Sequence, residues 1–82
     1  MEYFVDYGTG EGNEHITGAL EDAMKVADAH CGFTQCDITI YGESNDVVAA
    51  RYWWGYEPTA EEASWDIIQF GSQGFFAPWV IV

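Results

Sequence analysis

Apolar positions along the chain follow two different periods. Between Asn13 and Gly32, the residues Ile16, Ala19, Leu20, Ala23, Met24, Ala27 and Cys31 recur at three- and four-residue steps, the spacing of a single helical stripe. This predicts an amphipathic helix from about Glu14 to Cys31. Asn13 is the expected N-cap, and Gly32 suits the left-handed position after the helix. Elsewhere the period is two. From Glu2 to Gly8, Tyr3, Val5 and Tyr7 fall on one side and Glu2, Phe4 and Asp6 on the other, which predicts a first strand. Thr34 to Tyr41 is the expected second strand, with Cys36, Ile38 and Ile40 inward. Gly42-Glu43-Ser44-Asn45-Asp46 is a turn, and Val47 to Tyr56 is a third strand in a hairpin with the second. On that third strand Val48, Ala50, Tyr52, Trp54 and Tyr56 share one face and Val47, Ala49, Arg51 and Trp53 the other. Neither face is polar, so a central strand covered on both sides is expected.

Glu57-Pro58 ends this strand, and Thr59 followed three residues later by Glu62 has the form of a capping box, predicting one helical turn from Ala60 to Ser64. Trp65 to Phe70 is the expected fourth strand and residues 71–74 a turn. Phe75 to Val82 is a fifth strand, which Pro78 restricts to an edge or a bulge. A lone amphipathic helix among strands covers one face of a sheet. The expected fold is therefore a single α+β domain over residues 1–82, in the order β-α-β-β-β with a further strand at the end. One helix (about 14–31) packs on a mostly antiparallel sheet of four to five strands. A strand-helix-strand start predicts a right-handed crossover, with the first two strands parallel.

Charge changes the picture. Fourteen Asp and Glu residues stand against Lys25 and Arg51 alone, a formal net charge of -12. Such a field repels nucleic acid and anionic membrane and attracts basic protein surfaces. No apolar stretch is long enough to span a bilayer. The start, MEYFVDYG, lacks the basic-then-apolar pattern of a secretory leader. Two cysteines without such a leader point to reduced thiols and a cytoplasmic location.

Candidate chemistry is sparse. The loop Gly8-Thr9-Gly10-Glu11-Gly12 between a strand and a helix has the outline of a phosphate cradle. It lacks the third glycine at the required spacing and any following Lys-Ser/Thr, and Glu11 and Glu14 would place negative charge at the phosphate. On the outer face of the expected helix lie Glu14, Glu21, Asp22, Lys25 and Asp28. Glu14, Glu21 and Asp28 are spaced by seven, so on one helix they would rise along a line at about 10 Å per step, a loose likeness to a row of phosphates. Lys25 is placed to pair with Glu21 and Asp28. His30-Cys31 and Cys36, with His15 elsewhere, supply one loose pair of zinc-ligand types where a structural site needs two close pairs. Two buried thiols facing each other under the helix are expected instead. Glu61 and Glu62 are adjacent, so they do not face each other as an acid/base pair would. No catalytic residue, metal or cofactor is expected.

The aromatic content, four Trp, five Tyr and five Phe, exceeds what one helix-on-sheet interface needs. Phe4, Tyr41 and Trp53 alternate out of phase with the inward sets and are expected on the uncovered face, with Glu2, Asp6 and Asp37. Either residues 57–82 fold across that face, or it is an exposed aromatic and acidic binding surface. The expected function is a non-enzymatic protein-binding module. Its sharper form is a nucleic-acid mimic that occupies the basic groove of a nucleic-acid-handling enzyme. Size and charge make it analogous to small phage-type inhibitors of restriction or CRISPR nucleases. Candidate contacts are Glu11, Glu14, Glu21, Asp22 and Asp28, then Glu57, Glu61 and Glu62, then Phe4, Tyr41 and Trp53. The alternatives are a homo-oligomer paired through its apolar C-terminal strand, or a thiol, metal or ligand-binding domain using Cys31, Cys36, His15 and His30.

Overall fold

A computed structural model describes residues 1–10 and 12–82, with only the backbone of Phe33. It is an α+β fold. One helix packs on a five-stranded antiparallel sheet, and a small three-stranded sheet stands beside it. The strands are β1 (Glu2–Asp6), β2 (Glu14–Thr17), β3 (Ile38–Tyr41), β4 (Val47–Arg51), β5 (Trp53–Trp54), β6 (Ile68–Gln69), β7 (Phe75–Phe76) and β8 (Val80–Ile81), and the helix is α1 (Leu20–His30). The large sheet has the order β2-β1-β3-β4-β8 and the small one β5-β7-β6.

The first departure from expectation is at residues 14–17. They form a strand, not the first turn of the helix, and β2 folds back on β1 with Tyr3 opposite Ile16 and Phe4 opposite His15. The cause is Gly18. It sits at φ 141, a conformation glycine adopts and a helical residue does not, and its N–H donates to the Met1 carbonyl at 2.9 Å. Ile16 still faces the core, but from the sheet. The helix begins only at Leu20. Ala19 is its N-cap, and Asp22 Oδ2 accepts from the Ala19 N–H at 2.9 Å, while Asn13, the expected cap, accepts from the Tyr7 N–H instead.

The extra strand also reverses the chain before the helix. The expected parallel crossover is therefore replaced by antiparallel pairing of β1 with β3, Val5 opposite Ile40. Beneath α1, Tyr3, Val5 and Tyr7 join Ala23, Ala27, Cys31, Ile38 and Ile40 in one buried cluster. The small helix residues let the backbone lie close to the sheet. Cys36 was expected in that cluster. It is exposed, because the strand starts at Ile38 and the backbone N–H of Cys36 is turned to Thr34 Oγ1.

The expected third and fifth strands, 47–56 and 75–82, do pair with each other, but each is split between the two sheets. Ala50 faces Val80 in the large sheet, and Trp53 faces Phe76 in the small one. Three steps along one run thus match four along the other. The extra residue falls around Pro78, which lacks an N–H for the ladder. Beyond Arg51 the large sheet has no partner left, because β3 begins at Ile38 opposite it. Trp53 N–H turns to Asp37 Oδ1 at 2.8 Å, and Ala77 N–H to the Tyr52 carbonyl at 2.8 Å. The expected fourth strand shortens to β6, whose turn back to β7 closes at Gly74. A Cβ there would lie 2.5 Å from the Trp54 carbonyl, at φ 149, so glycine is required on both counts.

Arg51 ties the parts together. Its side chain, 1% exposed, points under the sheet toward the helix. Nε donates to the Ala77 carbonyl at 2.8 Å, Nη1 to Asp28 Oδ1 at 2.6 Å and Nη2 to the Asp66 carbonyl. Trp79 lies over the guanidinium and donates its indole N–H to the same Asp28 oxygen at 3.1 Å. One buried cation thus joins β4, α1 and the strands on either side of Pro78.

Candidate protein-binding surface

The carboxylates divide into those the fold uses and those it leaves outside. Glu14 Oε1 accepts from the buried Tyr7 hydroxyl at 2.7 Å and lies 2.6 Å from His30 Nδ1. Its partial burial works to raise its pKa, but the hydrogen bonds from His30 and Tyr7 win and hold it below the usual carboxylate range. Burial, reinforced by Glu14, pushes the Tyr7 phenol well above its ordinary value. Asp28 is bound to Arg51 and Trp79. The expected line of Glu14, Glu21 and Asp28 therefore does not exist on one helix face. The first of these is on a strand, and two of the three are hydrogen-bonded into the fold. Lys25 makes no ion pair with Glu21 or Asp28. Glu21 is exposed, Asp22 caps the helix from an exposed position, and Glu11 lies outside the described residues.

The expected aromatic face also divides. Phe4 and Tyr41 are cross-strand partners on the side of the large sheet away from the helix. Phe4 is 45% exposed and stacks on His15 at 4.8 Å, and His15 Nε2 pairs with Glu2 Oε1 at 3.0 Å. Trp53 is elsewhere. It packs in the small sheet against Phe70 and Phe76, at centroid distances of 5.7 and 5.0 Å. So residues 57–82 take in Trp53 and leave Phe4 partly in water.

A second aromatic surface was not foreseen. Trp54 stacks on Tyr56 at 6.2 Å with 12° between planes, and meets Trp65 edge-to-face at 6.1 Å. Phe75, fully buried, closes the base against both Trp54 and Tyr56. Tyr56 remains 47% and Trp65 40% exposed. The capping box positions an acid beside them. Glu62 Oε1 accepts from the Thr59 N–H at 2.9 Å, the Glu62 N–H donates to Thr59 Oγ1 at 3.2 Å, and Glu62 Oε2 accepts from the Tyr56 hydroxyl at 2.6 Å. Backbone and tyrosine hydrogen bonds hold the Glu62 carboxyl below its usual range. The bond to Glu62 raises the Tyr56 phenol. Glu57, Glu61 and Asp66 are exposed on the same connection. The sequence placed Trp54 and Tyr56 on an inward strand face. The available signal was Gly55 and Pro58 closing on a capping box, which puts these aromatics at the mouth of a loop.

The thiols do not face each other as expected. Cys31 is buried, Cys36 is exposed, and both are free. Burial and Asp28 raise the Cys31 thiol against the opposing pull of Arg51. Among the described residues no group of three or more His, Cys, Asp and Glu is arranged to hold a metal ion, and no helix is long and apolar enough to cross a membrane. Compared with known proteins, the chain matches no family model, no curated protein and no solved structure.

Proposed function

We propose that the chain is a non-enzymatic protein-binding module that presents an acidic surface to a basic partner. In its sharper form it is an inhibitor that occupies the nucleic-acid groove of a restriction or RNA-guided nuclease, as a mobile-element product would. One observation carries this reading: the distribution of its cations. Of the two Lys and Arg residues, Arg51 is buried and bound to Asp28, which leaves Lys25 as the only one in water. Nine of the thirteen described acidic residues are exposed and none is buried. The outward field is therefore more one-sided than the composition alone implies, and it favours encounter with Lys- and Arg-lined grooves.

The test is equilibrium binding to purified nucleases over a salt series, with duplex DNA as competitor. Affinity that falls steeply with salt, together with mutual exclusion of DNA and this protein, supports the mimic. A flat salt dependence, or a complex that still takes up DNA, contradicts it.

A second reading has its own observation. The edge strand β8 carries Val80 at 49% and Ile81 at 57% exposure, and Val82 beside it is 81% exposed. An unpaired apolar edge suits pairing with a second copy. Sedimentation at several concentrations tests it: a concentration-dependent dimer that Val80→Lys abolishes supports self-association, and a monomer throughout removes it.

A further inference from the structure

We propose that the Trp54–Tyr56–Trp65 surface is the docking site for an arginine-bearing segment of the basic partner. This rests on the acidic-module reading above and specifies the chemistry of its partner. Three observations converge. First, the aromatic faces here exceed what the fold uses: Phe75 and Phe76 are fully buried and fill the small sheet, while Tyr56 and Trp65 remain 47% and 40% exposed. Second, the rings form a fixed platform, because Trp54 is held between the parallel Tyr56 ring and the perpendicular Trp65 and Phe75 rings. Third, one acid beside the platform is positioned and two more are free to reach a ligand. Glu62 is fixed by three hydrogen bonds, and Glu57 and Glu61 are exposed on the same short connection.

A planar guanidinium suits this pairing better than an ammonium does. It stacks on an indole or phenol face while its edge N–H groups reach carboxylates, and it sheds water more readily than lysine. The protein carries the same motif internally, where Arg51 lies against Trp79 and donates to Asp28. The other exposed ring cluster is a weaker candidate. Phe4 is already stacked on His15, which also occupies the acid Glu2 through Nε2 at 3.0 Å.

Two nine-residue peptides of equal charge, one of arginine and one of lysine, serve as probes. Affinity is read by tryptophan fluorescence in the wild type and in Trp65→Ala, Tyr56→Ala, Glu61→Gln and Phe4→Ala. The arginine peptide is expected to bind about tenfold more tightly than the lysine peptide. Trp65→Ala should remove that preference, and Glu61→Gln should weaken both peptides alike. Phe4→Ala should change neither. If Trp65→Ala fails to fold by circular dichroism, Tyr56→Ala carries the same expectation. Equal affinity for the two peptides, or an arginine preference that survives loss of these rings, overturns the proposal and leaves the acidic-module reading standing. Failure of both peptides to bind even at low salt overturns both.

Discussion

The two sheets use the same residue types for opposite purposes. In the five-stranded sheet and its helix, charged and hydroxyl groups are consumed by the fold: Tyr7 with Glu14 and His30, and Asp28 with Arg51 and Trp79. In the three-stranded sheet, two phenylalanines supply the buried core with Trp53 packed against Phe76, while Trp65, Tyr56 and the acids around them stay at the surface. The difference teaches that a carboxylate's presence in a -12 chain says little until its partner is known. Glu14 and Asp28 looked like contacts and are structural. Glu62, which looked equivalent to them, is held against Tyr56, a ring that the fold leaves half exposed.

The comparison is broken most severely through Arg51. Arg51→Ala leaves the Ala77 and Asp66 carbonyls without this donor and Asp28 with the Trp79 indole alone. It should cost about 1.5–3 kcal/mol, because hydrogen bonds from a buried charged group are lost while the Asp28 carboxylate stays partly in water. Lys25→Ala, in the same helix-and-sheet half but exposed, should cost within about 0.5 kcal/mol. Urea denaturation of the two variants checks both. Similar losses would remove Arg51 as the tie between the sheets.

The Tyr7–Glu14–His30 contact of the same half is tested by pH. Because the folded pKa of Glu14 lies below its unfolded value, its contribution is present above the ordinary carboxylate range and lost as pH falls through the folded value. Tyr7 has the opposite sign. Its folded pKa is raised, so its contribution is complete below the unfolded value of 10.0 and is lost as pH rises above it. Glu14→Gln should therefore cost about 1–2 kcal/mol at neutral pH and flatten the acid limb of the stability curve. Tyr7→Phe should flatten the alkaline limb. The smallest effects belong to the small sheet's surface. Trp65→Ala should cost only about 1 kcal/mol, the value of an exposed edge-to-face contact, and Glu61→Gln within about 0.5 kcal/mol. A loss at Trp65 comparable to that at Arg51 would make the ring a core residue and erase the contrast.

Much of this was legible beforehand. The alternation of Tyr3, Val5 and Tyr7 against Phe4 marked β1 and its inward face. The run from Leu20 to Cys31 marked the helix, and Thr59 with Glu62 marked the capping box. What failed did so for identifiable reasons. Ile16 lies three and four residues before Ala19 and Leu20, so a strand residue fell by coincidence on the helical stripe. A four-residue strand is too short to assert its own period. Gly18 was the sign that a turn separates the two. The run from Val47 to Tyr56 is apolar or aromatic on both faces apart from Arg51, and nothing local reveals that its partner changes sheets. That depends on where β3 starts and on the slip around Pro78, both of which are tertiary. The surface at Trp54, Tyr56 and Trp65 was hidden by the same error, since one continuous strand would have carried the first two inward.

The most direct test of the account is to map the arginine peptide's contact by amide and indole NMR shifts during a titration. The account predicts movement of the Trp54 and Trp65 indoles and of the amides of Tyr56, Glu57, Glu61 and Glu62, with the helix amides of Glu21 and Asp22 unmoved. Shifts centred instead on Glu21 and Asp22, or on Phe4 and Tyr41, would contradict it and assign recognition to the five-stranded half.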